Sequence, residues 1–359
     1  MVGNELRKWD EIQERTWPTL LIGNGLSMNL WDGFWYKNLY EQADLTDSAS
    51  RVFDDLRTTN FEEVLAAIHH ARIVDDAVGL PTTLIDNAYA AVRDALLKTV
   101  SRAHVDWAGV PDSTHTLIAE EIAKHRSVFT TNYDLCLYWA HMQSAALRSA
   151  SNQAELRIKD FFWTKPDYTF DEDTANRWYR DWTAIYYLHG ALHLWHDDQG
   201  RDGKWKNDPP GGSLLDVLQQ YSPESRRQPL FVSEGTPRQK LNTIGASEYL
   251  RYCYDHLYED SYDTIVFGHS LAEQDNHIVD ALNAGPSRTI AVSIHPSGDA
   301  KSDAALAARI ERDLAAHEVL CFDSSTHPLG DLGLKIEPID IEAMMEWISR
   351  WNISEGDSA

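Results

Sequence analysis

Six short apolar or β-branched runs punctuate the chain, at 19–22, 127–130, 185–188, 264–267, 289–294 and 319–322. Each gives way to Gly, Asn, Asp or His and then to a segment of helical periodicity. That alternation is the signature of βαβ units and a parallel sheet. The pattern predicts an α/β fold, a Rossmann-like doubly wound parallel sheet, in one domain over residues 1–359.

Two stretches interrupt the alternation. Residues about 34–115 read as a helical insertion, with Phe61, Val64, Leu65 and Ile68 on one helix face and Leu84, Ala88, Ala91, Ala95 and Val100 marking another. Residues about 141–245 read as a loop-rich insertion. It holds Trp163, Trp178, Trp182, Trp195 and Trp205, and the turn-forming run Asn207-Asp208-Pro209-Pro210-Gly211-Gly212. Later helices are expected at 246–260, 272–284, 302–317 and, behind an Asp340 cap, 341–352, followed by a frayed tail.

Composition narrows the function classes. Hydrophobic residues at 43% suit a folded globular chain. The 56 acidic residues against 32 Lys plus Arg give a net charge of −24, a field that repels a phosphate backbone, so no direct nucleic-acid partner is expected. A small phosphorylated ligand stays compatible, because backbone amides supply local positive potential. Cys136, Cys253 and Cys321 are too few and too scattered for a disulfide framework or a four-cysteine zinc site. No run approaches the roughly 18 apolar residues of a membrane span, and the first residues lack an apolar signal core, so a cytoplasmic location away from membranes is the expectation.

Chemistry-bearing residues collect at the carboxyl ends of the predicted strands. Gly23-Asn24-Gly25-Leu26-Ser27 follows the first run. Such a turn either brings backbone close to phosphates or is a plain tight turn, and Met28 stands where a dinucleotide fingerprint has its third glycine. Thr131-Asn132-Tyr133-Asp134 ends the second run, where a helix cap is the alternative for Asp134. His189-Gly190 ends the third: His189 suits a general base, and Gly190 leaves room for a ligand. His193 and His196 follow without a carboxylate or thiolate in register, so no metal is expected. Gly268-His269-Ser270-Leu271 suits a ribose or phosphate contact, or a Ser helix cap, and His295 after the fifth run suits the adenosine half of a dinucleotide. In open α/β sheets this edge is where ligands bind, so one shared cleft is expected.

In order and sheet context these motifs resemble the sirtuin superfamily. They resemble most the bacterial sirtuin-like NADase group, which carries Thr-Asn-Tyr-Asp and Gly-x-Ser-Leu followed by Asp and His-Ile, as Thr131 to Asp134, Gly268 to Leu271, Asp275 and His277-Ile278 do here. The resemblance spans residues 19 to 296. It implies a sirtuin-like fold and an NAD glycohydrolase, with NAD as substrate. Asn132 and His189 would be catalytic: Asn132 would hold the nicotinamide ribose and attacking water, and His189 would act as base. Gly23, Asn24, Gly25 and Ser27 would cradle the pyrophosphate, Asp134 would support the nicotinamide pocket, Gly268 and Ser270 would meet the adenosine ribose, and His295 would lie near the adenosine. Protein-deacylating sirtuins carry a four-cysteine zinc module that this chain cannot build, which favours hydrolysis over deacylation. The resemblance further implies antiphage defence by NAD depletion, a homo-oligomer, and control by a partner ATPase or sensor protein. The rival readings are an NAD or ADP-ribose sensor without turnover, and a zinc-free deacylase or ADP-ribosyltransferase. The tryptophans of 141–245 read as core, with a lid over the nicotinamide pocket as the alternative.

Overall fold

The computed structural model describes residues 6–151, 156–163, 168–177, 181–205, 214–215, 221, 226–233 and 235–332. A seven-stranded sheet carries the core. Its strands are β1 (Thr19–Ile22), β2 (Ser127–Thr130), β3 (Ile158–Lys159), β4 (Thr183–Tyr187), β8 (Thr264–Phe267), β9 (Thr289–Ile294) and β10 (Glu318–Asp323). They lie in the order β10-β9-β8-β1-β2-β4-β3, and every pairing is parallel. Parallel strands are covered on both faces, which is why β1, β8 and β9 are buried at every position and read as mostly apolar or β-branched runs.

The chain enters the sheet in the middle at β1, moves outward through β2 to the edge strand β3, steps back to β4, then returns to β8 and leaves the other way through β9 and β10. With right-handed crossovers this order winds helices onto both faces, and it places the topological switch point between β1 and β8. The fold is therefore α/β and Rossmann-like. The crossovers on the second half are α11 (Asn276–Ala284) and α12 (Ala300–Asp313).

Between β1 and β2 run α1 (Gly25–Leu30), α2 (Tyr36–Gln42), α3 (Asp47–Leu56), α4 (Phe61–Ala77), α5 (Thr83–Ala103) and α6 (Asp112–Ile122). Helix α4 buries Phe61, Val64, Leu65 and Ile68, the stripe its periodicity predicts. Helix α5 buries Val92, Ala95, Leu96, Thr99, Val100 and Ala103 instead of the stripe starting at Leu84. Leu84 is 82% exposed, because the fully buried face of this helix begins at Val92, with Ile85 and Tyr89 only partly buried before it.

Residues 141–245 carry more regular structure than their composition suggests. After α7 (Cys136–Ser151) they supply β3 and β4 to the main sheet, with α8 (Glu172–Arg177) between them. They also form a second, antiparallel sheet of β5 (Gly190–Asp197), β6 (Asp202–Lys204) and β7 (Arg227–Phe231), in the order β6-β5-β7. Trp195 is fully buried and Trp205 packs against it, so these two are core and not a lid. Helices α9 (Pro237–Ala246) and α10 (Glu248–Tyr258) lead back to β8. The run 207–212, Trp178 and the helix expected at 341–352 lie outside the described residues. No helix among the described residues is long and apolar enough to cross a membrane.

Candidate active site

A cleft of about 390 Å³ opens at the carboxyl ends of the parallel strands. Its floor comes from the turns after β1 (Asn24, Gly25), β2 (Thr131 to Asp134), β4 (His189), β8 (Gly268 to Ser270), β9 (His295) and β10 (Ser324). Its wall comes from the helices between β1 and β2, through Phe34, Trp35, Tyr36, Leu39, Phe61, Glu62, Leu96 and Val100. Polar strand ends on one side and an apolar helical wall on the other make a site of the size and character of small-molecule pockets.

His189 sits in the two-residue joint between β4 of the parallel sheet and β5 of the antiparallel one. The joint depends on Gly190, whose φ of +76° is costly for any other residue and whose position would put a Cβ 2.0 Å from the Leu230 carbonyl oxygen. Gly190 thus serves the crossing of two sheets and not, as its place beside His189 suggested, room for a ligand. His189 Nε2 lies 2.8 Å from His277 Nε2, and the rings stack at 19°. Burial, reinforced by the Lys240 ammonium, pushes His189 well below the ordinary imidazole range. Burial likewise pushes His277 down to about 3, with Asp275 opposing the shift. Both rings are neutral near pH 7, so one Nε2 carries the hydrogen and the other accepts it.

Asn132 is held by a short chain of donors. Ser27 Oγ donates to Asp134 Oδ2 at 2.5 Å, and Asp134 Oδ1 accepts from the Cys136 amide at 2.8 Å, capping α7. Because the Ser27 proton is committed to a carboxylate, its oxygen can only accept, and it accepts from Asn132 Nδ2 at 2.8 Å. The orientation of the amide is thereby fixed. Asn132 Oδ1 is left buried with no partner in a side chain only 6% exposed that lines the cleft.

Behind the cleft a third cluster forms around Lys240 of α9, which is fully buried. Its Nζ lies 2.7 Å from Asp275 Oδ1 and 2.9 Å from Glu62 Oε2 of α4. Burial alone would raise Asp275, but Lys240, with His269 and His189 beside it, holds that carboxyl below the usual carboxylate range. Burial raises Glu62, and the pull of Lys240 offsets this only in part. His269 turns Nε2 toward Asp275 Oδ2 at 3.6 Å, while its Nδ1 accepts from the Leu271 amide.

Among the described residues, two groups bring metal-type ligand atoms within 4.8 Å of one another. In His189–Asp275–His277 the Lys240 ammonium already neutralises Asp275, and the two imidazoles bond each other. In His104–Asp134–Cys136 both His104 nitrogens are engaged, with Val105 O and the Leu135 amide, and burial raises the Cys136 thiol so that it keeps its proton. A divalent cation at either cluster would have to displace these bonds and protons.

A family model described as a domain of unknown function, DUF4917, matches residues 20–329. The chain belongs to the DUF4917 family. Among solved structures, the DUF4917 chain is similar to one titled "Structure of Sir2Tm bound to a propionylated peptide", at 14% identity and a TM-score of 0.32, over 80% of this chain and 86% of that one. It is also similar to one titled "Sir2 bound to acetylated peptide", at 12% identity and a TM-score of 0.35, over 95% and 98%. No curated protein matches.

In this DUF4917 chain, Asn24, Gly25, Asn132, Asp134, His189, Gly268, Ser270 and His295 all line the one cleft. Gly23 and Ser27 do not. Ser27 acts through Asn132 and Asp134, as above. The amides of Gly23 and Gly25 donate to Phe267 O and Gly268 O, so neither is free for a phosphate. The glycines are needed because the loops after β1 and β8 pack backbone to backbone: a Cβ on Gly25 would fall 2.5 Å from Gly268 Cα, and Gly268 itself has φ +66°. Arg309 of α12 fixes the second loop by donating to the Ser270 and Leu271 carbonyls. Glu62, Lys240 and the aromatic wall of Phe34, Trp35 and Tyr36 escaped the sequence reading. A Glu in the first turn of an amphipathic helix and a Lys in a polar one carry no signal of burial.

Proposed function

We propose that this DUF4917 protein is a sirtuin-like NAD hydrolase. Water would replace nicotinamide at the anomeric carbon of the nicotinamide ribose, giving ADP-ribose, nicotinamide and a proton. The observation that carries the reading is the presence, in one cleft, of a buried, partnerless Asn132 Oδ1 and a neutral His189.

Cleavage of the glycosidic bond passes through an oxocarbenium-like state and needs an oriented nucleophile in a site that controls water. Asn132 Oδ1 is an acceptor fixed in advance, suited to hold a ribose hydroxyl or the attacking water. His189 has Nε2 occupied by His277, which leaves Nδ1 to take the proton. At the other end Ser293 Oγ accepts from the Gly268 amide, so its own hydrogen is free for a ligand oxygen, beside Ser270, Ser324 and the exposed His295. Asn132 and His189 are themselves almost wholly buried.

The finer reading, depletion of NAD as a defence against phage by an oligomer under control of a partner, follows from the motif resemblance. Product analysis of the full chain incubated with NAD tests the hydrolase assignment. ADP-ribose and nicotinamide in equal amounts without any acceptor are expected. Nicotinamide released only when an acylated peptide or a protein acceptor is added would replace hydrolysis by group transfer.

A further inference from the structure

Lys240 has an unusual place for an ammonium. It is fully buried, carries no contact with solvent, and is shared by two carboxylates from different parts of the fold. Glu62 belongs to the helical wall. Asp275 belongs to the turn before α11, and its carboxylate lies within 4.8 Å of both His189 and His277. A bare carboxylate that close to a buried imidazole pair would draw a proton onto the pair and block it as a base. Here Asp275 is not bare.

We propose that Lys240 is a positioning residue for the base: its ammonium occupies Asp275 and ties the helical wall to the cleft floor through Glu62, so that Asp275 stands beside the His189–His277 pair without protonating it. The inference rests on the hydrolase reading for its purpose and on the geometry alone for its existence. The groups facing the pair are Asp275 and His269 from the turn after β8, Lys240 from α9, Tyr133 from the turn after β2 and Tyr254 from α10, with Glu62 of α4 behind Lys240. Lys240 is the only formal cation among them. After burial it is the largest influence holding His189 down.

Histidine proton NMR on the full chain reads the pair without any need for turnover. Lys240→Met should raise the midpoint of the His189–His277 pair by about one pH unit or more, a tenfold gain in proton affinity. Lys240→Arg should keep it low. Adding Asp275→Asn to Lys240→Met should bring it back toward the wild-type value, because the stranded charge is gone. Should Lys240→Met fail to fold, the K240M/E62Q pair removes one of the two stranded carboxylates and should show the same rise. A midpoint that stays put in K240M or K240M/E62Q, or that rises equally in K240M/D275N, overturns the proposal. A shift in a protein that releases no nicotinamide would sink the hydrolase reading and leave the role of Lys240 standing. Release whose acid limb ignores Lys240 would do the reverse.

Discussion

His189 and His277 face each other Nε2 to Nε2 at 2.8 Å, in stacked rings that are both buried. Only one hydrogen fits between the two nitrogens, so each ring fixes the tautomer of the other. The Tyr254 hydroxyl anchors His277 by donating to its backbone carbonyl. His277→Ala is expected to lower kcat for nicotinamide release by about tenfold to a hundredfold with KM little changed, because the base loses its orientation and not its ligand contacts. His277→Gln, whose amide oxygen can still accept from His189 Nε2, should recover part of the loss. Steady-state kinetics on the two variants check this.

Asn132 has its amide direction dictated by the Ser27–Asp134 pair. Asn132→Asp keeps the shape but points a carboxylate oxygen at a hydroxyl oxygen whose proton is already given to Asp134. The expected cost is about 2 kcal/mol of folding stability in addition to loss of activity. Asn132→Ala should lose activity with a smaller stability loss. Denaturant titration beside the activity assay separates the two.

The paired glycine loops make a purely structural prediction. Gly268→Ala combines a φ of +66° with a Cβ 2.8 Å from Gly25 Cα, and about 3 kcal/mol of destabilisation is expected. Gly79 has a similar φ of +77° with nothing within 4 Å of an added Cβ, so Gly79→Ala should cost about 1 kcal/mol. Comparable losses at the two positions would mean that the loops after β1 and β8 are not in contact.

Burial also shapes the pH dependence of stability. It lowers His125 to about 4 and His193, His277 and His327 to about 3. Below the ordinary imidazole value the unfolded chain binds protons that the folded one does not, so stability is lost as pH falls. Each such histidine costs about 1.4 kcal/mol one pH unit below that value. Glu62, Glu248 and Asp260, each raised by burial, work in the opposite direction. Melting temperatures should therefore be flat above about pH 7.5 and drop steeply toward about pH 5.5, as calorimetry across that range would show.

The strands that the sequence makes legible are those buried on both faces. β1, β2, β8 and β9 have the bounds their apolar or β-branched runs suggest, because covered strands take few polar side chains, and those they do take, such as Thr19 and Thr264, are hydrogen-bonded. β3, with two residues, β6, with three, and β7, broken by Pro229, have no periodicity to read, and β5 mixes His and Gly into its run. The second sheet is thus visible only once pairing is known. The strand-end motifs show where a site forms, but not how it is supported. That Gly23 packs against a neighbouring loop, that Ser27 holds an amide, and that Lys240 lies at zero exposure between Glu62 and Asp275 are products of tertiary contact between segments far apart in the chain.

If Asn132 and His189 act on the same sugar, the most direct measurement is the rate of nicotinamide release from NAD by the full chain, by its Asn132→Ala variant and by its His189→Ala variant. Release by the wild type, reduced by about a hundredfold or more in each variant while both stay folded, is the predicted result. Release at the wild-type rate in both variants, or neither binding nor cleavage of NAD by the wild type, would contradict it.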